Sequence, residues 1–338
     1  MPASYVHQSV AAHAADALSL FPSDAERSAL LAGAEGPDPL FFCFRPGKPF
    51  APVVASLLHT QKTDDFLLAL CDACAGDALL RAYCCGFFTH YATDTTFHPF
   101  VYAHSLTAAG KYSGNAHCTL EHQLETLHYR REGHAVGLPV QMGGFAALDA
   151  AQRKKIAAAL SAALARVFPD SVLSPARLEK CFSDAVGLCR FLRSEDGKRY
   201  RTLGGVLSPF KLDETLHAHM MPAEPPQADI ANDAHAPWTS IWTPDEVRHD
   251  SFGDLFAASV ARAEALAAQL LKETQEKPAK KPAGVDYLGE CARHLEQVLG
   301  RKVRMTQGRK TGRIELEYYD ADDREALLQA LEGIGRRN

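Results

Sequence analysis

The chain has 338 residues, 46% of them hydrophobic, and a formal charge of −5. That length suffices for two domains, each with its own core. The acidic balance argues against a protein that binds polyanions over its whole surface.

Taken in chain order, residues 1–20 carry His7, His13 and Asp16, with no basic start and no unbroken apolar stretch. No secretory leader is read there, and no segment reaches the ~18 apolar residues of a membrane span. The expected location is therefore the cytoplasm. Cys84 to His98 is an apolar run with its polar residues on one side, and Pro99 is expected to end that helix. Thr119 to Tyr129 reads as the next helix, with Leu120, Leu124 and Leu127 on its apolar side. Helices are also predicted over Leu148–Phe168, Pro175–Arg193 and Asp254–Lys272, while Leu203–Gln227, with four prolines, reads as a loop-rich crossover. The nine cysteines are scattered, and Cys71 and Cys74 lack the second nearby pair of a zinc site, so buried reduced thiols are expected. The fold class is mainly α, a helical bundle followed by a small α+β unit.

One stretch carries chemistry. His90, Asp94 and His98 are spaced four apart, and so are His117 and Glu121 within the next twenty-odd residues. On helices each set forms a stripe, because positions four apart lie one turn above each other. Imidazole and carboxylate are the ligands that zinc takes when thiolate is absent. A single pair of this spacing is common by chance, and two so close together are not. Burying that many polar groups without partners is costly. His217 and His219, two apart in a loop-like context, form a weaker candidate pair.

The block His90-Tyr91-x-x-Asp94…His98-Pro99, with His117-x-x-x-Glu121, resembles the zinc-dependent phospholipase C family, closest to its compact clostridial-type branch. The S1-type nucleases are similar to that family in using a trinuclear zinc fold. The likeness extends to Val6-His7, to Gly36-Pro37-Asp38 followed by Phe41-Phe42, and to His59. It fades after about residue 135 and returns weakly around Trp238 to Leu255, with Trp238, Trp242 and Ser251-Phe252. The resemblance implies that Asp38, His59, His90 and Asp94 hold one zinc ion, and that His98, His117 and Glu121 hold a second. It further implies that His7 and Asp94 hold a third, Asp94 bridging two ions. In secreted relatives an N-terminal tryptophan completes the third site; here the chain reads Met1-Pro2-Ala3-Ser4, so two to three ions are expected. The implied activity is hydrolysis of a phosphodiester, phospholipid or other, with Asp38 as both ligand and possible base for the attacking water.

After Lys272 the composition changes. Residues 273–284 lack large apolar side chains and read as a linker between a domain at 1–272 and another at 285–338. The last unit is predicted as helix 285–299, strand 302–306, turn, strand 313–319 and helix 322–334. Its Leu299-Gly300-Arg301-Lys302-Val303-Arg304, Gly312 to Tyr319 and Leu327-Leu328 segments resemble the C-terminal domain of ParB-type partitioning proteins. That resemblance implies a homodimer and DNA contact through Arg301, Lys302, Arg304, Arg309, Lys310 and Arg313, a window free of acids. Two functional classes follow: a zinc-dependent phosphodiesterase, or a dimeric DNA-associated protein whose zinc domain is structural or acts on nucleic acid.

Overall fold

The computed structural model describes residues 4–107, 109–210, 213–276, 302–307 and 312–317, together with residues 324 and 327. It divides into two compact units, Met1–Pro278 and Ala279–Asn338. The first unit begins with α1 (Ser4–Ala17) and α2 (Asp24–Ala34), followed by a short 3-10 helix at Asp38–Phe42. Next come α3 (Ala51–Thr60), α4 (Thr63–Cys74), the long α5 (Ala78–Ala103) and α6 (Gly114–Arg131). They are followed by α7 (Gly143–Ala147), α8 (Ala150–Val167), α9 (Pro175–Leu192), α10 (Lys198–Leu207) and α11 (Asp213–Ala218). A two-residue antiparallel ribbon, β1 (Trp238–Thr239) with β2 (Val247–Arg248), precedes α12 (Phe252–Glu276). The mainly helical class expected from sequence is what is found, and among the described residues no helix is long and apolar enough to cross a membrane.

Local chemistry explains where these helices begin. Ser23 and Glu26 form a capping box on α2, and Asp149 and Gln152 form one on α8. Asp77 accepts from the Leu80 amide at the start of α5, and Ser113 from the Ala116 amide at the start of α6. Each cap satisfies an amide that the helix itself leaves unbonded. The Ser113 cap starts α6 five residues before the expected Thr119, which brings His117 inside the helix.

α5 is the spine. Its first half buries Tyr83 and Phe87 in the larger core with Leu30, Phe66, Phe145 and Phe182, and its second half buries Phe97, Phe100 and Val101 against Leu120, Trp238 and Phe252. The expectation that Pro99 ends this helix is corrected: α5 runs on to Ala103 with Pro99 inside it. The proline removes one backbone bond, but burial of Phe100 and Val101 in the second core, and the bond from the His104 amide to Phe100 O, hold the last turn in place.

α2 and α5 cross in unusually close contact. A Cβ on Gly33 would stand 2.0 Å from Tyr83 O, and one on Gly86 would stand 2.0 Å from Leu30 O. Only a pair of glycines lets the two backbones meet at this separation. The crossing sets how near the segment after α2 comes to the middle of α5.

Two further expectations change. Residues 203–227 are not all loop, because α10 extends to Leu207, a 3-10 turn covers Ser208–Phe210, and α11 follows. The His217 ring stacks on Tyr200 at 3.8 Å and fits against Gly204, where a Cβ would meet it at 2.4 Å, so packing between α10 and α11 overrides the breaker residues. α12 continues to Glu276, past the expected linker start at 273. Residues 277–284 lie outside the described residues.

In the second unit, β3 (Val303–Gln307) pairs antiparallel with β4 (Gly312–Leu316). The register sets Val303 opposite Leu316 and Met305 opposite Ile314 on one face, and Arg304 opposite Glu315 on the other. Glu315 lies 3.9 Å from Arg304 and 3.7 Å from Arg313, so the window that is free of acids in sequence acquires a carboxylate by strand pairing. Arg301, Arg309, Lys310 and the expected helix 285–299 lie outside the described residues, as does all of 322–334 except Arg324 and Leu327, which are helical.

Gly86→Val places a branched side chain where Leu30 O stands. The substitution should destabilise the first unit by about 3 kcal/mol, the upper range for overpacking, read as a lowered urea midpoint. An unchanged midpoint would show that α2 and α5 do not cross this closely.

Candidate metal centre

Five elements bring eight side chains to one place. His7 comes from α1, Asp38 opens the 3-10 helix, and His59 lies in the last turn of α3. α5 supplies His90, Asp94 and His98 from one stripe, and α6 supplies His117 and Glu121 from another. His7, Asp38, His90, Asp94, His117 and Glu121 are buried, whereas His59 and His98 are partly open. A backbone feature admits Asp38: Gly36 has φ +54°, and a Cβ there would stand 2.4 Å from the His90 ring. Glycine is what lets the loop pass over the imidazole.

Asp94 is the hub. Its Oδ1 lies 3.3 Å from His7 Nε2 and 3.7 Å from His98 Nε2, while its Oδ2 lies 3.3 Å from His90 Nε2 and 3.7 Å from His59 Nε2. His59 Nε2 is also 3.2 Å from Asp38 Oδ1. On the far side, Glu121 Oε1 lies 2.8 Å from His117 Nε2 and 3.9 Å from His98 Nε2. Three sets of ligand atoms, each within 4.8 Å of one another, result: His7 with Asp38 and His90, His59 with His90 and Asp94, and His98 with His117 and Glu121. The implied third site is thereby refined, since His7 groups with Asp38 and His90 as well as facing Asp94.

Do these residues fit metal ions? His90 Nδ1 lies 3.1 Å from Ala34 O and His59 Nδ1 lies 2.8 Å from Ala55 O. A carbonyl only accepts, so each Nδ1 carries a proton and each ring, once any proton on Nε2 has left, presents a lone pair there. The two Nε2 atoms face each other at 3.4 Å, beside carboxylate oxygens of Asp38 and Asp94. Such a set needs a cation among its nitrogens and carboxylates, either a proton or a metal ion. His7 Nδ1, His7 Nε2, Asp38 Oδ1, Asp94 Oδ1 and His98 Nε2 are also buried without a hydrogen bond among the described residues. The backbone bonds at Nδ1 are the orienting contacts that metal-bound histidines use. The donor set fits zinc.

Electrostatics point the same way. Burial opposes ionisation of Asp94, but the imidazoles of His90, His98 and His7 beside it hold its carboxyl well below the usual range. Burial likewise opposes a charge on His90, yet Asp94 and Asp38 push its imidazole up to about 9. Burial lowers both His7 and His98.

A second layer was not legible in the sequence. Glu35 and Glu125 are buried, and burial pushes each up to about 8, so both are neutral acids at pH 7. Ser4 Oγ and Gln8 Nε2 donate to Glu35 at 2.6 and 2.7 Å, and the Tyr5 amide donates to Glu125 at 2.6 Å. Ser4 Oγ in turn accepts from the Met142 amide at 2.8 Å. Together these bonds tie the start of α1, and hence His7, to α2, α6 and the segment before α7. The available signal was positional: Glu35 immediately precedes Gly36-Pro37-Asp38, and Glu125 stands one turn after Glu121.

The cluster opens onto a cleft of about 530 Å³, where Phe41, Tyr91, Tyr102, Tyr112 and Trp242 join His59, Asp94, His98 and His117. His217 and His219 are not among the metal-sized groups of the described residues; His217 Nε2 instead bonds Tyr200 O.

Residues 6–168 match the family described as zinc dependent phospholipase C. The match begins just before His7, continues past the point near 135 where the motif likeness thins, and contains all eight side chains of the centre. Together with the three metal-sized groups it supports a zinc-dependent, phospholipase C-like function. It stops short of Trp238–Leu255 and of the C-terminal unit, so the ParB-type resemblance, with its implied dimer and DNA contact, finds no support in it. No curated protein matches the chain, and neither does any solved structure.

Asp94→Asn removes the charge that two sets of imidazoles share, so metal affinity should fall by more than the ~10–100-fold typical of losing an outer partner. Elemental analysis after dialysis should show at least one fewer zinc ion per chain; full stoichiometry would contradict the hub role.

His90 yields a pH prediction. Its raised pKa means that a proton competes with metal below about 9 and ceases to do so above it. Zinc titrated into metal-free protein at pH 7 should release this proton, making the calorimetric enthalpy depend on buffer ionisation enthalpy. Apparent affinity should rise from pH 7 to 9, by at most ~10-fold per unit for one proton. Affinity that is flat over this range would remove His90 as a protonated ligand.

Proposed function

We propose that the protein is a zinc-dependent phosphodiesterase acting on a phospholipid or a small phosphodiester of that kind. The observation that carries this reading is the sharing of Asp94 between two sets of imidazoles at the floor of an aromatic cleft. Asp38, His59, His90 and Asp94 would hold one ion, His98, His117 and Glu121 a second, and His7 with Asp94 and its neighbours a third. When bound, zinc neutralises the phosphate and lowers the pKa of water toward ~7.

The chain's own groups do the rest. His7, His90 and Asp94 are held rigidly by burial, while His59 and His98 face the cleft, where substrate enters. Asp38 is ionised at neutral pH: burial raises its pKa, but the His59 and His90 imidazoles beside it outweigh that and lower it. An ionised carboxylate beside the entry face can take a proton from attacking water. Glu35 and Glu125, neutral at pH 7, add no negative charge that would repel an anionic phosphate. The side chains described along the cleft include no Lys or Arg. Tracking a polynucleotide backbone calls for such cations, and this favours a lipid-type phosphodiester over a nucleic acid.

The test sets zinc content and hydrolysis of para-nitrophenyl phosphocholine beside cleavage of single-stranded DNA. Zinc-dependent release of nitrophenol is expected, and Asp38→Asn should lower kcat by ~100-fold or more, the scale of a lost general base. DNA cleavage without ester hydrolysis would select the nuclease alternative, and zinc binding with neither activity would make the centre structural.

A further inference from the structure

Beside the metal cleft lies a second cavity of about 460 Å³, walled by Phe41 and Phe44 from the segment after Asp38, Leu188 and Leu192 from α9, and Leu216 from α11. Its lining is almost wholly apolar, with His219 among the few polar groups. A hollow of this kind gives water almost no hydrogen-bond partners, and its size and lining are those of a site for an apolar ligand. Phe44, 68% exposed, stands at this wall, an arrangement that leaves a large aromatic ring in water unless something covers it.

Phe41 lines both cavities. Its ring lies 5.4 Å from the His59 ring, and it sits on the same 3-10 helix that begins with Asp38. The apolar hollow therefore adjoins the metal cleft, with the Phe41 side chain as the wall they share. A ligand with a charged end at the cluster and a hydrocarbon end reaching past Phe41 matches this pairing of surfaces.

We propose that this cavity holds an aliphatic chain of the substrate, the hydrocarbon tail of a phosphodiester whose phosphate lies at the metal centre. The assignment rests on the lipid-phosphodiesterase reading and adds that chain length, read between α9 and α11, sets which phosphodiesters are taken. Seating the tail covers Phe44 and fixes Phe41 against His59, so the apolar end of the ligand orders one wall of the cleft.

Two measurements test it, one of them independent of catalysis. Metal-free full-length protein is titrated with n-alkanols of six to ten carbons as the probe. Saturable binding is expected, tightening about fourfold per methylene, and Leu188→Trp, which fills the cavity, should abolish it. Leu216→Trp repeats the block from the opposite wall should the first variant fold poorly, and Leu188→Ala should shift the preference toward longer chains. In the zinc-loaded protein, kcat/KM along a series of monomeric alkylphosphocholines should climb with chain length in the same proportion and flatten in the Trp variants. Absence of alkanol binding by the unaltered protein would overturn the tail site, whatever the activity, as would turnover indifferent to chain length. Alkanol binding with no phosphodiesterase activity on any substrate would uphold an aliphatic site and overturn the enzymatic reading instead.

Discussion

A single buried carboxylate organises this molecule. Asp94 stands in the middle of α5 with imidazole nitrogens on both its oxygens, and it is ionised where burial alone would keep it neutral. Unpaired, such a charge is prohibitively costly to bury. The surrounding structure therefore has to bring cations to it, as protonated imidazole or as metal. Much of the first unit follows from that requirement: α1, the turn after α2, and the end of α3 all contribute a group aimed at the same point on α5.

The backbone crossing of α2 and α5 makes the approach possible. Gly33 and Gly86 let the helices meet backbone to backbone, and Gly36 then turns the chain over His90 so that Asp38 points inward. Behind this shell, Glu35 and Glu125 serve as neutral acids, joined through Ser4, Gln8 and the Tyr5 amide to the helix that carries His7. A charged carboxylate in either place would add repulsion to an already acidic site. Burial keeps both protonated, so they act as hydrogen-bonding struts.

The two cavities that flank Phe41 give the region a division of labour. One is lined by the cluster and by aromatic rings, the other by leucine and phenylalanine. Charge is confined to the metal side, and the other side is almost wholly apolar, which is the polarity of an amphiphilic ligand. The C-terminal unit shows a different logic. Its paired strands separate Val303, Ile314 and Leu316 from Arg304, Glu315 and Arg313, and pairing brings Glu315 beside Arg304.

Spacing alone determined a good deal. His90, Asp94 and His98 had to share one helical face, as did His117 and Glu121, because 3.6 residues make a turn. The helical class, the positions of α5, α6, α8, α9 and α12, and the alternating strands near the C-terminus were legible from periodicity in the same way. What the sequence left open was everything that depends on distant partners. Pro99 reads as a stop, and only the burial of Phe100 and Val101 against Trp238 carries α5 past it. Leu203–Gln227 reads as loop, until the stacking of Tyr200 on His217 holds two short helices together. Glu35 and Glu125 belong to no motif in the sequence, and their protonation is a property of burial, not of residue type. The family resemblance already implied Asp94 as the shared member; that His7 also stands with Asp38 and His90 was decided by how α1, α2 and α5 pack. Local periodicity fixes which side chains share a face; only tertiary packing fixes which faces meet.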